Sequence, residues 1–312
     1  MEHLHVVDEV PDLPAGQPVP LVVALQGFLD AGNASALAVA ELTRHDPGRV
    51  VATFDVDVFH DYRARRPMVT FNRDHYQDYD APRLVVRLVR DAADQPYLLL
   101  TGPEPDTRWE AFSRGVRELV ERFDVELVVS LASVPMAAPH TRPLAVTQHA
   151  NDEDLLSREN PWVGEIRVPS SASALLEIRL GDHGHPMTGF VAHVPHYVAQ
   201  GDYPMATLSL LEDLAAATGL EIDLDPVRDA TAAKAREIDD YIAEHGEVAE
   251  LVRGLEQQYD AFTRSEEAGS SLLAEDAPLP SGEELGAQFE RFLAGLDGPE
   301  GTDPRGFGDH QG

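Results

Sequence analysis

Three consecutive stretches decide the fold: Leu21-Val-Val-Ala-Leu25, then Gln26-Gly-Phe-Leu-Asp-Ala-Gly-Asn33, then Ala34-Ser-Ala-Leu-Ala-Val-Ala-Glu-Leu42. Five apolar residues in a row leave no polar face, so the first reads as a strand buried on both sides. The second holds two glycines and an asparagine, residues that turn a chain. The third is rich in Ala, Leu and Glu, which favour helix. A buried strand that enters a helix through a glycine turn opens an α/β unit.

The same alternation continues outward from this unit. Strands are expected over residues 50–58, 67–71, 84–89 and 97–101, the last ending at Gly102-Pro103. A helix over 107–123 lines up Phe112, Val116, Leu119 and Val120 on one stripe. Strands follow at 127–134, 144–147 and 190–194, with helices at 172–180 and 204–217. Several strands are apolar on both faces, so residues 1–225 are expected to form a three-layer α/β core domain. Its sheet is mainly parallel or mixed, with helices on both faces. No internal repeat is visible.

Beyond residue 225 the composition shifts to charged helices. Residues 226–264 read as a helical extension, 227–245 and 247–264 broken at Gly246. The second helix places Val248, Leu251, Val252, Leu255, Tyr259 and Phe262 on one stripe, which must pack on the core or a neighbouring subunit. Residues 265–280 read as a polar linker. Ser281-Gly-Glu-Glu284 then has capping-box spacing and opens a helix over 281–296, with Leu285, Phe289, Phe292, Leu293 and Leu296 along one face. This helix is expected either to fold back or to dock in trans, before a disordered Gly/Asp-rich tail at 298–312.

With 55 acidic against 24 basic residues the net charge is −31. That field repels phosphate backbones and anionic lipid, so neither nucleic acid nor a membrane is an expected partner. The absence of cysteine rules out disulfides, thiolate catalysis and sulfur-ligated zinc. Met1–Val10 lacks a basic stretch before an apolar run, and no apolar stretch is long enough to span a bilayer. A cytoplasmic protein is expected.

Four groups of residues could carry chemistry. In the first turn, Gly27, Gly32 and Asn33 would expose helix-start amides at the carboxyl edge of the sheet, a place where anions bind. Asp30 could instead accept those amides itself. Gly102-Pro-Glu-Pro-Asp-Thr-Arg-Trp109 also leaves a strand for a helix, so Glu104, Asp106, Arg108 and Trp109 either line a site or serve as caps and ion pairs. Pro135-Met-Ala-Ala-Pro-His-Thr-Arg-Pro143 supplies His140 and Arg142, with His149 a strand later. His193 and His196, three apart on a strand, would face opposite ways and could share a metal only if Pro195 turned the chain. No carboxylate–histidine set has ligand spacing, so neither metal nor cofactor is expected. There is no Gly-x-Ser-x-Gly elbow either, and no complete catalytic motif.

Gly27-Phe-Leu-Asp-Ala-Gly32, Gly102-Pro-Glu-Pro-Asp106 with Arg108-Trp109, Pro139-His-Thr-Arg-Pro143, and His193-Val-Pro-His-Tyr197 leading to Tyr203-Pro204 occur in that order. Together they resemble an actinobacterial branch of the proteasome-assembly-chaperone-like family, from about residue 21 to 262. The resemblance implies a core similar to nucleoside phosphorylases, a homotrimer, and a non-enzymatic role in assembling proteasome-like particles. Ring-docking chaperones often end in hydrophobic–Tyr–any residue, whereas this chain ends Asp309-His-Gln-Gly312, so tail insertion is not expected. The alternative is an enzyme or small-molecule binder that reuses a phosphorylase-like groove through Asp30, Asn33, Arg108, His140 and His193. Convergence of Arg108, His140 and His193 on one open pocket would favour that alternative, and mutual pairing would favour the scaffold.

Overall fold

In the computed structural model, which describes residues 3–7, 13, 18–158 and 165–267, the opening strand is β2 (Val19–Gln26), buried along all but its last residue. It lies centrally in an eight-stranded sheet. In chain order the strands of that sheet are β1 (Leu4–Val6), β2, β3 (Arg49–Phe54), β6 (Val85–Arg90), β7 (Pro96–Pro103), β8 (Val125–Met136), β9 (Val146–Ala150) and β10 (Met187–Pro195). Spatially they run β1-β3-β6-β7-β2-β8-β10-β9. The central four, β7, β2, β8 and β10, are parallel to one another, and β1, β3, β6 and β9 pair antiparallel around them. The sheet is mixed.

Alternation along β2 explains the layers, because successive side chains leave a strand on opposite faces. Leu21 and Val23, with Leu98 and Leu100 of β7, meet α3 (Trp109–Arg122) and α4 (Ala172–Gly181) through Phe112, Leu119, Leu176 and Leu180. Val22, Leu99 and Val129 meet α1 (Ala34–Leu42) and α5 (Pro204–Thr218) through Ala38, Leu210 and Leu214. α6 (Asp225–Glu244) adds Val227 and Ile238 to this second core. Among the described residues no helix is long and apolar enough to cross a membrane.

The described residues up to Asp260 form one compact unit. The part of α7 (Gly246–Glu267) that belongs to it, up to Asp260, buries Val252 and Leu255, but Leu251 stays 37% exposed. α7 also runs three residues into the expected linker. The 281–296 helix with Leu285, Phe289, Phe292 and Leu293, and the 298–312 tail, lie outside the described residues.

Of the two sheet strands expected before β6, 50–58 is cut short as β3 and 67–71 does not join the sheet. β3 stops at Phe54 because Asp55 caps a short helix, α2 (Val56–Phe59), accepting from the Asp57 amide. The 67–71 strand is instead part of a separate hairpin, β4 (Thr70–Asn72) with β5 (His75–Gln77). Residues 55–84 therefore form an arm that leaves the sheet at Phe54 and returns at β6. Phe59 anchors its root, fully buried with its ring 5.8 Å from Phe54 and 6.3 Å from Phe112.

Candidate functional site

The register places several chain exits on one edge. β2 ends beside β7, Gln26 opposite Pro103, and β6 begins with Val85 opposite Thr101. The loops after β2 and β7 and the arm thus share the carboxyl edge of the parallel strands, where ligands of open α/β sheets gather.

The first loop closes on itself. Asp30 Oδ1 accepts the Ser35 amide at 2.6 Å, so its carboxylate occupies the start of α1. Burial lifts the Asp30 carboxyl above the usual carboxylate range, against the pull of the Ser35 and Ala36 amides. Gly32 sits at φ 67°, and a Cβ there would come 2.7 Å from Tyr203 Cβ. Its N–H donates to Ala199 and its carbonyl accepts from Tyr203. The Asn33 side chain donates to Asp202 at 2.7 Å, and Ser133 of β8 holds the loop through Leu29 and Ala31 carbonyls.

Glu104 makes a second carboxylate cap. Its Oε1 accepts the Ala172 amide at the start of α4, 2.8 Å away, and a Cβ on Gly27 would strike the same side chain. Asp106 binds Arg65 at 2.7 Å and accepts the Asp61 amide. Burial alone would raise its carboxyl, but Arg65 and that amide hold it below the usual range. Neither Asp106 nor Thr107 caps α3: Thr107 Oγ1 donates to the Val58 carbonyl. Arg108, at φ 57°, turns left-handed just before the helix, so α3 begins at Trp109 rather than at 107. Among the described residues the Arg108 guanidinium takes no carboxylate; its Nη1 lies 3.4 Å from His3 Nε2. Trp109 Nε1 donates to the Pro105 carbonyl.

The third loop is fastened to the C-terminal helices. His140 meets the Tyr197 hydroxyl through Nδ1 at 2.6 Å and Asp239 through Nε2 at 3.3 Å. Burial pushes the Tyr197 hydroxyl up to about 12. Arg142 forks onto Asp260 with bonds of 2.7 and 2.8 Å and reaches Glu256, which keeps its guanidinium firmly charged.

The alternation argument for His193 and His196 does not apply, because the strand ends at Pro195 and His196 opens a 3₁₀ turn. They still part company. His193 Nε2 lies 2.8 Å from Thr147 Oγ1, and His196 Nδ1 lies 3.4 Å from the Met136 carbonyl. His149 pairs with Glu177. Among the described residues no three His, Asp or Glu side chains gather as metal ligands.

Arg108, His140 and His193 therefore take separate partners, His3, Tyr197 and Thr147, instead of closing on one pocket. Chemically the three loops can cap, clamp and orient. Sequence reasoning missed the arm. Met68 (74%), Phe71 (59%), Tyr76 (73%) and Tyr79 (56%) stand exposed on or beside the hairpin, with Phe71 and Tyr76 directly cross-strand and their rings 5.0 Å apart. His60, Arg65, Arg66 and Arg83 lie at its base. The available signal was Arg63-Ala-Arg-Arg66, a basic run in a strongly acidic chain, followed at once by Pro67-Met-Val.

The PAC2 family model matches residues 24–244. Among solved structures, Mycobacterium tuberculosis Rv2714, a protein of unknown function, is 44% identical with a TM-score of 0.81, covering 85% of this chain and 91% of its own. A PAC2 family protein of Streptomyces avermitilis is 31% identical (TM-score 0.64), covering 76% and 100%. M. tuberculosis Rv2125, described as a proteasome-assembly chaperone homologue, is 28% identical (TM-score 0.69), covering 75% and 100%. No curated protein matches. On these findings the chain belongs to the PAC2 family.

Proposed function

We propose that this PAC2 protein is a non-enzymatic, cytoplasmic assembly-chaperone-like protein that works as a homotrimer on proteasome subunits. One observation carries the reading: the carboxyl edge offers apolar contact surface on the arm, while the loops beside it hold their own charges. A hairpin of two three-residue strands is at best marginally stable in water. Four large apolar side chains in solvent at such a tip are a surface for a partner. The likeness to Rv2125, a proteasome-assembly chaperone homologue, supports proteasome subunits as that partner.

Light scattering and native mass spectrometry of the purified chain, alone and mixed with proteasome subunits of the same organism, test both parts. The expected results are a particle of three chains and a stable complex with unassembled subunits. A monomer at micromolar concentration removes the trimer, and subunits that never associate with the chain remove the assembly role.

A further inference from the structure

A cavity of about 440 Å³ opens where the base of the arm meets the ends of β2 and β7. Gln26, Thr101 and Pro103 line it together with Arg65, Arg66 and Arg83. Three guanidiniums on one cavity run against a chain with 31 excess negative charges. Arg65 is engaged with Asp106 and the Glu104 carbonyl. Arg66 and Arg83 are exposed and make no side-chain ion pair or hydrogen bond among the described residues. Two arginines without a carboxylate partner on the same cavity leave their guanidiniums available to an anion.

His60 lies at the same cavity, with its side chain only 6% exposed. Its Nε2 meets the Arg65 carbonyl at 2.8 Å. Its Nδ1 is buried without a hydrogen-bond partner, 3.6 Å from the nearer Asp106 oxygen. The Asp106 carboxylate beside Nδ1 and the Arg65 carbonyl on Nε2 fix the ring at the base of the cavity. The volume falls within the range of small-molecule sites and exceeds what a bare ion fills.

We propose that this cavity binds a small molecule through an oxyanion, a phosphate or a carboxylate, held by the planar forks of Arg66 and Arg83. Arg65 is a positioning residue, fixed by Asp106. Asp80, the carboxylate on the same lining, accepts a hydroxyl or ammonium group of the ligand. The ligand is therefore a hydroxy- or amino-substituted phosphate or carboxylate. This goes beyond the assembly reading and does not depend on it.

Isothermal titration of the full chain at low ionic strength, with inorganic phosphate, glycerol phosphate and serine as separate probes, tests the site. At least one probe saturates a single site. Arg66→Gln and Arg83→Gln each weaken it about tenfold, the loss expected for one charge-assisted hydrogen bond, and Arg253→Gln leaves it unchanged. Preference for glycerol phosphate assigns a phosphate ligand, and preference for serine a carboxylate. Both arginines are exposed and unpaired, so the variants keep the wild-type melting temperature. Protection of Arg66 and Arg83 against phenylglyoxal by whichever probe saturates the site reads the same contact without substitution. No saturable binding by any probe, unchanged affinity in the Arg66→Gln/Arg83→Gln double variant, or no protection overturns the proposal.

Discussion

The loops at 27–33 and 104–109 and the arm at 55–84 leave the same edge of the sheet, yet apart from Phe28, which stands 67% exposed in the first loop, they treat their side chains in opposite ways. In the loops, Asp30 and Glu104 cap α1 and α4, Gly32 is wedged against Tyr203, and Asp106 is paired with Arg65. In the arm, only the two ends are buried, at Phe59 and Leu84, while Phe71 and Tyr76 pack on each other in open water. Groups that already satisfy one another have little left for a ligand, whereas exposed aromatic rings gain from any partner that covers them. The difference separates architecture from contact, and substitutions on the two sides should separate in the same way.

The largest effect is expected at Gly102, the residue before the last of β7. It sits at φ 135°, and a Cβ there would run into the Arg83 carbonyl. Gly102→Ala combines a backbone strain with a backbone clash, and should cost about 3 kcal/mol or more, read as a lowered urea midpoint. An unchanged midpoint would break the view that this edge is rigidly built. Asp30→Ala removes the carboxylate that receives the Ser35 amide and should cost about 1–2 kcal/mol. Loss of partner binding with stability intact would instead make Asp30 a contact residue.

A graded effect is expected with pH. Burial holds the His193 imidazole below its ordinary value, favouring the neutral ring beside Thr147. The unfolded chain binds that proton first as pH falls, so this contribution is full above about pH 6.5 and is lost progressively below it. Urea midpoints between pH 7.5 and 5.5 should fall for the wild type and fall less for His193→Gln. Parallel curves would remove His193 from the account. The smallest stability effect belongs to the arm tip: Phe71→Ser with Tyr76→Ser should shift stability by no more than about 0.5–1 kcal/mol, the worth of one exposed cross-strand pair. A multi-kcal loss would show that the hairpin is part of the core.

How much of this was legible in the sequence follows the same division. The continuous apolar run 21–25 and the stripe Phe112-Val116-Leu119 located the central strand and α3, because both are buried along their length and periodicity reports burial. The segment 50–58 was misread because Val56 and Val58 prolong the apolar pattern past Asp55, and only the cap reveals that a helix has begun. The segment 67–71 has strand composition and does contribute a strand, but composition cannot say which strand it pairs with. At the site, the sequence offered Arg108, His140 and His193 as a set, and it could not show that three side chains more than thirty positions apart would each find a different partner. The arginines of the cavity were missed because Arg66 and Arg83 stand seventeen positions apart and come together only through the return of the arm to β6.

Hydrogen–deuterium exchange on the intact chain, free and mixed with proteasome subunits, tests the central claim most directly. Protection should appear at residues 67–79 when the partner is added, with the amides of Gly32, Asn33, Glu104 and Asp106 unchanged, since those already donate within the protein itself. Protection confined to the two loops, with the hairpin exchanging as fast as in the free chain, would contradict the account.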